Sequence, residues 1–434
     1  MTIIQAHKFY WRRDGASNYA LDLASLLEER GHTVVPFAMQ HPQNLKNQYE
    51  RFFVSRMELG DASKLSLGQK MCYAGRMFYS FEAKRQIQKL LEKEAVDIIH
   101  LHNIYHHISP SILPVIKKKG IPIVMTLHDW KLICPNYSMF HHGAVHEEDC
   151  RGWYGTCVKN KCFRDSRMLS SIVRWEMVFH HKIMRYYERY VDRFIAPSRF
   201  IMEKCIEFGW PREKFVHIPL PVTSHKPRTT SHENEDGEYV AYVGRLSEEK
   251  GLSVLFEAAK MTPEILYKII GEGPMKEMLN VQCSMLNLEN VRLEGFQTGK
   301  KLQQTILGAR IIVVPSVWYE NYPLSVLEAK AAGKVVIASE IGGIPEMLPQ
   351  ELLVRPGDAK GLAKKIKTWY DAPFEKRGEM GDRLRKEAGE VNDPGRHLQA
   401  ILAVYAEVTK HINTPTHQHE TPASPSARQG GRNT

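Results

Sequence analysis

The sequence predicts an α/β protein with two Rossmann-like domains that face each other across a cleft. Three observations support this. The chain has 434 residues, which is long for a single ordinary core. Short apolar runs alternate with amphipathic helical stretches along most of its length. A polar stretch around 219–238 separates two such series. Ligands bind these sheets at the carboxyl ends of the strands, so we expect the functional residues there.

The first series is predicted to form a domain over residues 1–218, on the acceptor side of the cleft. Apolar, β-branched runs typical of buried parallel strands lie at 3–6, 33–37, 98–102, 121–127 and 193–196. Amphipathic spacing predicts helices over 16–30, 76–93, 111–119 and, as one long basic and aromatic helix, 164–190. An insertion that contains cysteines interrupts this domain at about 130–165.

The second series follows a linker predicted over 219–238, which is rich in Pro, Ser, Thr, His and charged residues. It is predicted to form a domain over 239–393, with strands at 239–243, 266–271, 291–293, 311–314, 335–338 and 352–354. A last helix is predicted over 394–412, and the polar tail 413–434 is predicted to be disordered.

The overall charge limits the ligands that the chain would attract. It carries 59 Lys and Arg against 49 Asp and Glu, a formal net charge of +10. Such a balance suits polyphosphate ligands, an anionic membrane surface or nucleic acid. No charged start followed by an apolar stretch indicates a signal peptide, and no apolar run approaches the ~18–20 residues of a spanning helix. We therefore expect a cytoplasmic protein, with peripheral contact to the inner face of the membrane as an open option.

The segment 318–329 is the most informative motif. Glu320 is predicted in a loop after the strand at 311–314, and Glu328 two turns into a helix that Pro323 begins and Gly333 ends. The free backbone N–H groups at such a helix start bind anions, phosphates above all. A carboxylate on each side of a phosphate cradle suits the hydroxyls of a sugar and a ribose. The alternative is that both glutamates are solvated charges on a helix.

A cationic loop ends the strand at 239–243. Arg245 offers a planar fork for bidentate phosphate contact and Lys250 a compact point charge, so together they would neutralise a diphosphate. A solvated turn is the alternative for this loop alone. The glycines of 271–273, after the next strand, strengthen the phosphate interpretation because all these elements lie at strand ends of one sheet.

Three residues of the first half are candidates for the same cleft. Gly15 follows the first strand and begins a helix, where backbone can approach a phosphate or sugar closely. His102 and His128 end two successive strands. We expect at most one of His100 and His102 to face the cleft and choose His102, nearer the carboxyl tip. The alternative for each histidine is a satisfied structural residue.

These motifs together resemble the retaining glycosyltransferases of family 4, which have the two-domain GT-B fold. The resemblance covers 2–411, and its most specific part is the pair of glutamates separated by seven residues. It implies a nucleotide diphosphate sugar held mostly by the second domain, with Glu320 on the donor sugar and Glu328 on the ribose. The implied catalytic residues are Glu320, His102 and His128. The implied donor-binding residues are Gly15, Arg245, Lys250, Asn321, Tyr322, Leu324 and Glu328.

The resemblance also implies the reaction. A hexosyl unit would pass, with its anomeric configuration retained, to a glycan or lipid-linked acceptor in the biosynthesis of cell-surface polysaccharide or glycoconjugate. No metal or cofactor is required for catalysis in that family. The sequence agrees, because it has no Asp-x-Asp pair to hold a divalent cation.

A cluster of cysteines lies in the insertion at 130–165, with three histidines among them. Its members are Cys134, Cys150, Cys157 and Cys162. Without a C-x₂-C pair, a structural zinc site is one of three open interpretations, beside reduced thiols and disulfides. Disulfides are uncommon in cytosolic proteins.

Three other functions compete with glycosyl transfer. A sugar-nucleotide epimerase of the same fold would bind a nucleotide sugar without an acceptor. A nucleic-acid-binding protein would show basic clusters with aromatic stacking residues on one surface, and we find no such motif. A binding scaffold without activity would not need Glu320, Arg245 and Lys250.

The basic aromatic stretch 164–190 has two interpretations. It either lies against anionic lipid or packs as an ordinary helix with a basic face.

Overall fold

The computed structural model describes residues 1–57, 66–222 and 237–413, and two six-stranded parallel sheets dominate them. Most of the predicted linker and nearly all of the predicted tail lie outside the described residues. The domain boundaries given above remain predictions.

The first sheet belongs to the first half of the chain. Its strands are β1 (Thr2–Ala6), β2 (Thr33–Phe37), β3 (Ile98–Leu101), β4 (Ile123–Thr126), β7 (Arg193–Ala196) and β8 (Phe215–His217). Their order is β2-β1-β3-β4-β7-β8, and all pairs are parallel. Within the insertion, β5 (Phe140–His141) and β6 (Ala144–Val145) form a short antiparallel hairpin. The sequence had predicted every strand of this sheet except β8, which has only three residues.

The second sheet has the same design. Its strands are β9 (Tyr239–Val243), β10 (Leu266–Ile270), β11 (Val291–Gly295), β12 (Ile311–Val314), β13 (Val335–Ser339) and β14 (Leu353–Val354). They lie in the order β11-β10-β9-β12-β13-β14, again all parallel. Strand β12 is buried at all four positions, as its run of β-branched residues predicts. The carboxyl ends of β9 and β12 are therefore neighbours, which brings the two second-half motifs to one edge.

Helices cover the sheets. Those of the first half are α1 (Gly15–Glu29), α2 (Leu67–Phe78), α3 (Phe81–Lys93), α4 (Leu113–Lys118), α5 (Gly155–Lys159), α6 (Arg167–Met177), α7 (Tyr186–Tyr190) and α8 (Arg199–Glu207). Those of the second half are α9 (Leu252–Lys260), α10 (Lys276–Met285), α11 (Gly299–Leu307), α12 (Leu324–Ala331), α13 (Ala359–Tyr370), α14 (Phe374–Val391) and α15 (Pro394–Asn413). Across the described ranges, none of them has both the length and the apolar character needed to cross a membrane.

Two predicted helices are interrupted. The single helix expected over 76–93 ends at Phe78 and starts again at Phe81, because Ser80 has extended backbone and caps the amide of Ala83. The long helix expected over 164–190 begins at Arg167, continues beyond α6 as a π-helix, and breaks at Arg185 in the left-handed conformation.

The last helix returns to the first domain. Helix α15 packs against α1, and the Tyr405 hydroxyl lies 2.7 Å from Nδ1 of His100. The Tyr19 hydroxyl lies 3.0 Å from Nε2 of His397, 378 positions further along the chain. The two halves are thus joined by more than the linker.

Candidate functional site

Glu320 lies in the loop between β12 and α12, only 4% exposed. Its Oε1 accepts hydrogen bonds from the ammonium of Lys250 at 2.7 Å and from the hydroxyl of Ser316 at 2.6 Å. The same ammonium lies 4.9 Å from the ring centroid of Trp318. A buried carboxylate is tolerated when a cation and a donor satisfy it in this way. The two motifs that the sequence placed separately therefore meet in one ion pair.

A glycine pair holds the backbone of Glu320. The N–H of Gly343 donates to the Glu320 carbonyl at 2.7 Å. A Cβ on Gly342, whose φ is 63°, would lie 2.2 Å from that carbonyl oxygen, and a Cβ on Gly343 would lie 2.0 Å from the carbonyl oxygen of Asn321. Only glycine fits at these two positions. Sequence reasoning missed them, although a Gly-Gly pair just after strand β13 was a usable signal.

Arg245 occupies the other side of the cationic loop. Its guanidinium donates to Oε1 of Glu249 at 2.6 Å and to the Ser247 hydroxyl at 3.2 Å. Its side chain is nevertheless 62% exposed, so an anion can reach it. The loop ends at Gly251, where φ is 70° and a Cβ would lie 1.9 Å from the carbonyl oxygen of Pro315. This close approach fixes the loop against the end of β12.

The start of α12 faces the first domain. Pro323 occupies the N-cap with no side-chain hydrogen bond to the helix, so the first N–H groups of α12 are not capped from that position. A Cβ on Gly15 would lie 3.2 Å from Cδ1 of Leu324. The first-domain glycine loop and the α12 start, predicted independently, are therefore in near contact.

Helix α12 ends close to the predicted position, with Gly333 in the left-handed conformation at φ 69°. Glu328 lies four residues after Leu324, one turn into the helix and not the two turns predicted, because the helix begins after Pro323. Its side chain is partly buried.

Asn321 and Tyr322 bond to other parts of the chain. The Asn321 amide donates to the Leu127 carbonyl at 2.9 Å, and its Oδ1 lies 3.0 Å from the Ser198 hydroxyl. The Tyr322 hydroxyl lies 2.7 Å from Nδ2 of Asn392. These side chains hold the two domains and the C-terminal region together. Their predicted role in donor binding remains a prediction.

The cysteine-containing insertion also reaches the second domain. The indole N–H of Trp130 donates to the Tyr319 carbonyl at 2.9 Å, and the Tyr319 hydroxyl donates to Glu147 at 2.8 Å. Burial raises the pKa of Tyr137, and the positive charge of Arg245 in the cationic loop opposes this rise. The insertion is therefore part of the cleft wall.

The two candidate histidines lie side by side. Nδ1 of His102 is 3.1 Å from Nε2 of His128. Burial, followed by neighbouring histidines, places the pKa of His102 well below its usual value, and burial chiefly lowers the pKa of His128 to about 3. Both rings are thus neutral near pH 7. Among the described residues Nε2 of His102 has no hydrogen-bond partner. Their catalytic assignment remains a prediction.

The expectation that His100 and His102 face differently was wrong. Their rings stack with centroids 4.5 Å apart. Residues two apart on a strand share a face, so both side chains are on the side that α15 covers. His100 is fully buried between Tyr405 and Thr126, which makes it a structural residue.

The four cysteines of the insertion are paired. Cys134 is joined to Cys150 and Cys157 to Cys162. Sulfurs bonded in this way are not available to ligate zinc. Across the ranges that the structure describes, no group of three or more His, Cys, Asp or Glu side chains is arranged to hold a metal ion. The disulfide interpretation is thus the one the structure adopts.

The architecture has close counterparts among solved structures. The sucrose-phosphate synthase of Thermosynechococcus elongatus aligns with a TM-score of 0.66 at 17% identity, over 94% of this chain and 99% of that one. The Anabaena protein HepE, solved in complex with UDP, aligns at 0.63 and 17% identity, over 94% and 100%. Both neighbours are GT-B glycosyltransferases, and this chain has the same GT-B fold.

The family follows from sequence comparison. Residues 13–226 match the family model "Glycosyltransferase Family 4", and 225–387 match "Glycosyl transferases group 1". The chain belongs to these glycosyltransferases. A 42.6 kDa uncharacterised protein of the Klebsiella pneumoniae cps region is 25% identical over 80% of this chain and 87% of its own length. The putative colanic acid glycosyltransferase WcaL of Escherichia coli is 30% identical, but over only 37% of this chain and 43% of its own length.

Proposed function

We propose that this glycosyltransferase moves a hexosyl unit from a nucleotide diphosphate sugar to a glycan or lipid-linked acceptor, with retention of configuration. The bond from the anomeric carbon to the diphosphate breaks, and the bond to the acceptor oxygen forms on the same face. The proton of the acceptor hydroxyl passes to the departing diphosphate. Cell-surface polysaccharide or glycoconjugate biosynthesis is the proposed setting.

The ion pair between Lys250 and Glu320 is the observation that carries the proposal. It lies where β9 and β12 end, beside the uncapped start of α12 and the exposed guanidinium of Arg245. Cations and free N–H groups suit the charge that develops on a departing diphosphate. Glu320 suits a sugar hydroxyl, and Glu328 suits the ribose.

Relatives support the choice of substrates. HepE has been solved with UDP-glucose, and it shares the fold of this chain. WcaL and the amylovoran glycosyltransferase AmsK of Erwinia amylovora are named for polysaccharide biosynthesis. The matches span less than half of those two proteins, so the sugar, base and acceptor are left to experiment.

A panel of nucleotide sugars tests the proposal. A bound donor must raise the unfolding temperature by mass action, and the donor that does so is then offered with and without candidate glycan acceptors. We expect a new glycosidic product, with retained configuration by NMR, only when acceptor is present. A changed sugar nucleotide formed without acceptor would indicate the competing epimerase. Inverted product would reject the retaining mechanism.

Lys250→Ala supplies the variant for this assay. Removing a leaving-group stabiliser should lower the transfer rate about 10²-fold or more. Lys367→Ala is the matched control, because Lys367 also pairs with a glutamate at 2.7 Å but is exposed on α13. Equal rates in both variants would reject the assigned role of Lys250.

A further inference from the structure

An apolar groove lies on the outer surface of the first domain. It has a volume of about 650 Å³ and lies along α6 and the π-helical turns that follow. Its lining includes Phe78, Met168, Ile172, Trp175, Phe179 and Ile183. Met168 is 69% exposed, Trp175 48% and Ile183 56%. Large apolar side chains exposed in a row at helical spacing mark a surface that something covers.

Each of these three exposed side chains directly follows a cation. The pairs are Arg167-Met168, Arg174-Trp175 and Lys182-Ile183. The guanidinium of Arg174 also lies 4.7 Å from the Trp175 ring centroid.

Acidic residues are fewer along the same stretch. Residues 164–190 contain six Lys and Arg against three Asp and Glu. One of the three acids, Glu176, is 1% exposed and pairs with Lys131 inside the protein. The groove is therefore apolar at its centre, and the helical stretch that carries it is positive, although Lys182 lines a neighbouring pocket with Tyr154 and Arg185.

Other occupants fit this surface less well. Of the three stretches outside the described residues, 223–236 and 414–434 contain no Leu, Ile, Val, Met, Phe, Tyr or Trp, so neither can fill an apolar groove. The third, 58–65, offers only Leu59 and Leu65 against a groove lined by six large apolar side chains. A second copy would bring the same cations against each other in a symmetric contact. An anionic lipid bilayer satisfies both features, because acyl chains cover the apolar centre and phosphate headgroups neutralise the cations.

We propose that this surface, defined by Met168, Trp175 and Ile183 with Arg167, Arg174 and Lys182, docks the protein on an anionic membrane. Phe163, four residues before α6, packs against Tyr137 of the insertion with ring centroids 6.2 Å apart, so the start of α6 lies near the cleft wall. A lipid-linked acceptor on that membrane would thus lie beside the site. The position of the acceptor beside the site rests on the proposed function, whereas membrane binding itself does not.

Vesicle flotation of the full chain tests the docking surface. The vesicles are phosphatidylcholine alone or phosphatidylcholine with phosphatidylglycerol. We expect binding to the anionic vesicles, and the triple variant Met168→Ser, Trp175→Ser, Ile183→Ser should weaken it at least ~30-fold. Replacing the three cations by Gln should weaken anionic binding about fivefold for each charge and leave neutral vesicles unaffected.

A matched variant controls for the loss of exposed apolar surface. Met278, Met285 and Phe296 are 51%, 78% and 69% exposed in the second domain, and their replacement by Ser should leave flotation unchanged. Circular dichroism and thermal unfolding establish that each variant is folded. Two results would overturn the proposal: no flotation of the wild type, or equal flotation of the groove variant. If the protein did not bind vesicles and the groove variant lost self-association in sedimentation, the groove would instead be a contact for a second copy.

Discussion

At the residue scale, Glu320 and Glu328 differ in what surrounds them. Glu320 is buried in an ion pair at the strand end, whereas Glu328 is one helical turn away from that loop. An interaction with the reacting sugar strengthens as charge develops, and a ribose contact is the same in ground and transition states. We expect Glu320→Gln mainly to lower kcat and Glu328→Gln mainly to raise KM for the donor.

Steady-state kinetics at saturating acceptor measure both effects. Glu257→Gln, an exposed glutamate on α9, is the control and should change neither parameter. If Glu328→Gln lowered kcat while Glu320→Gln raised only KM, the two assigned roles would have to be exchanged.

Gly343 carries a second prediction at this scale. A methyl group there would lie 2.0 Å from the Asn321 carbonyl oxygen and 2.9 Å from Cβ of Ser198, in the other domain. We expect Gly343→Ala to lower the free energy of unfolding by more than ~2 kcal/mol, because backbone must move to admit the group. Chemical denaturation measures the change.

A helical glycine provides the opposite case. Gly378 in α14 has open space at its Cβ position. Gly378→Ala should therefore raise the free energy of unfolding, by up to ~1 kcal/mol. Destabilisation of equal size in both variants would contradict the steric argument.

The site was predicted from sequence only in part, and the missing part is non-local. Lys250 and Glu320 lie in motifs that local pattern identifies, at strand ends whose adjacency follows from a parallel sheet. The bonds from Asn321 to Leu127 and Ser198 join residues of different domains. No local pattern encodes such partners, because they depend on how the finished domains meet.

At the element scale, a side chain of one domain caps a helix of the other. The carboxylate of Glu346 accepts hydrogen bonds from the backbone N–H groups of Arg199 and Phe200, at 2.8 and 2.6 Å, where α8 begins. A negative charge at a helix N-terminus stabilises it by ~0.3–1 kcal/mol, and more when partly buried. Because this cap crosses between domains, Glu346→Gln should weaken the contact between them.

Small-angle X-ray scattering measures the effect as a larger radius of gyration, accompanied by a lower unfolding temperature. Glu375→Gln is the matched control, since Glu375 lies in the first turn of its own helix, α14. An unchanged radius in the Glu346 variant would mean that other contacts suffice to hold the domains.

The elements themselves were mostly predictable. Apolar residues repeat every ~2 positions in a strand and every ~3.6 in a helix, and both repeats are local properties of the sequence. Strands such as 311–314 were therefore located to within a residue. The prediction of one helix over 164–190 was wrong where the backbone conformation changes, at the π-helical turns and at Arg185. Apolar periodicity continues through such interruptions, and so cannot reveal them.

At the scale of the whole molecule, buried neutral histidines make stability depend on pH. Burial first, and then His128 and His397, lower the pKa of His100 to about 3. In the unfolded chain a histidine titrates near ~6.5. Between these values the unfolded state binds an extra proton, so the free energy of unfolding falls as the pH falls below about 6.5 and is fully retained above it.

The expected slope is up to about 1.4 kcal/mol per pH unit for each such histidine. Urea unfolding between pH 7 and pH 4 measures it. His100→Asn should reduce the slope by about that amount, whatever it does to stability at pH 7. An identical slope in the variant would show that His100 does not titrate on unfolding.

The return of α15 has a consequence for the order in which the chain is made. His100 and Tyr19 of the first domain find their partners on α15, and Tyr19 is 378 positions ahead of His397. At ~5–20 residues per second, a ribosome adds that much chain in about 20–75 s. Late in this interval the first sheet has already been synthesised. The face that α15 will cover is still exposed to water. The first domain therefore completes its packing only after α15 has been synthesised.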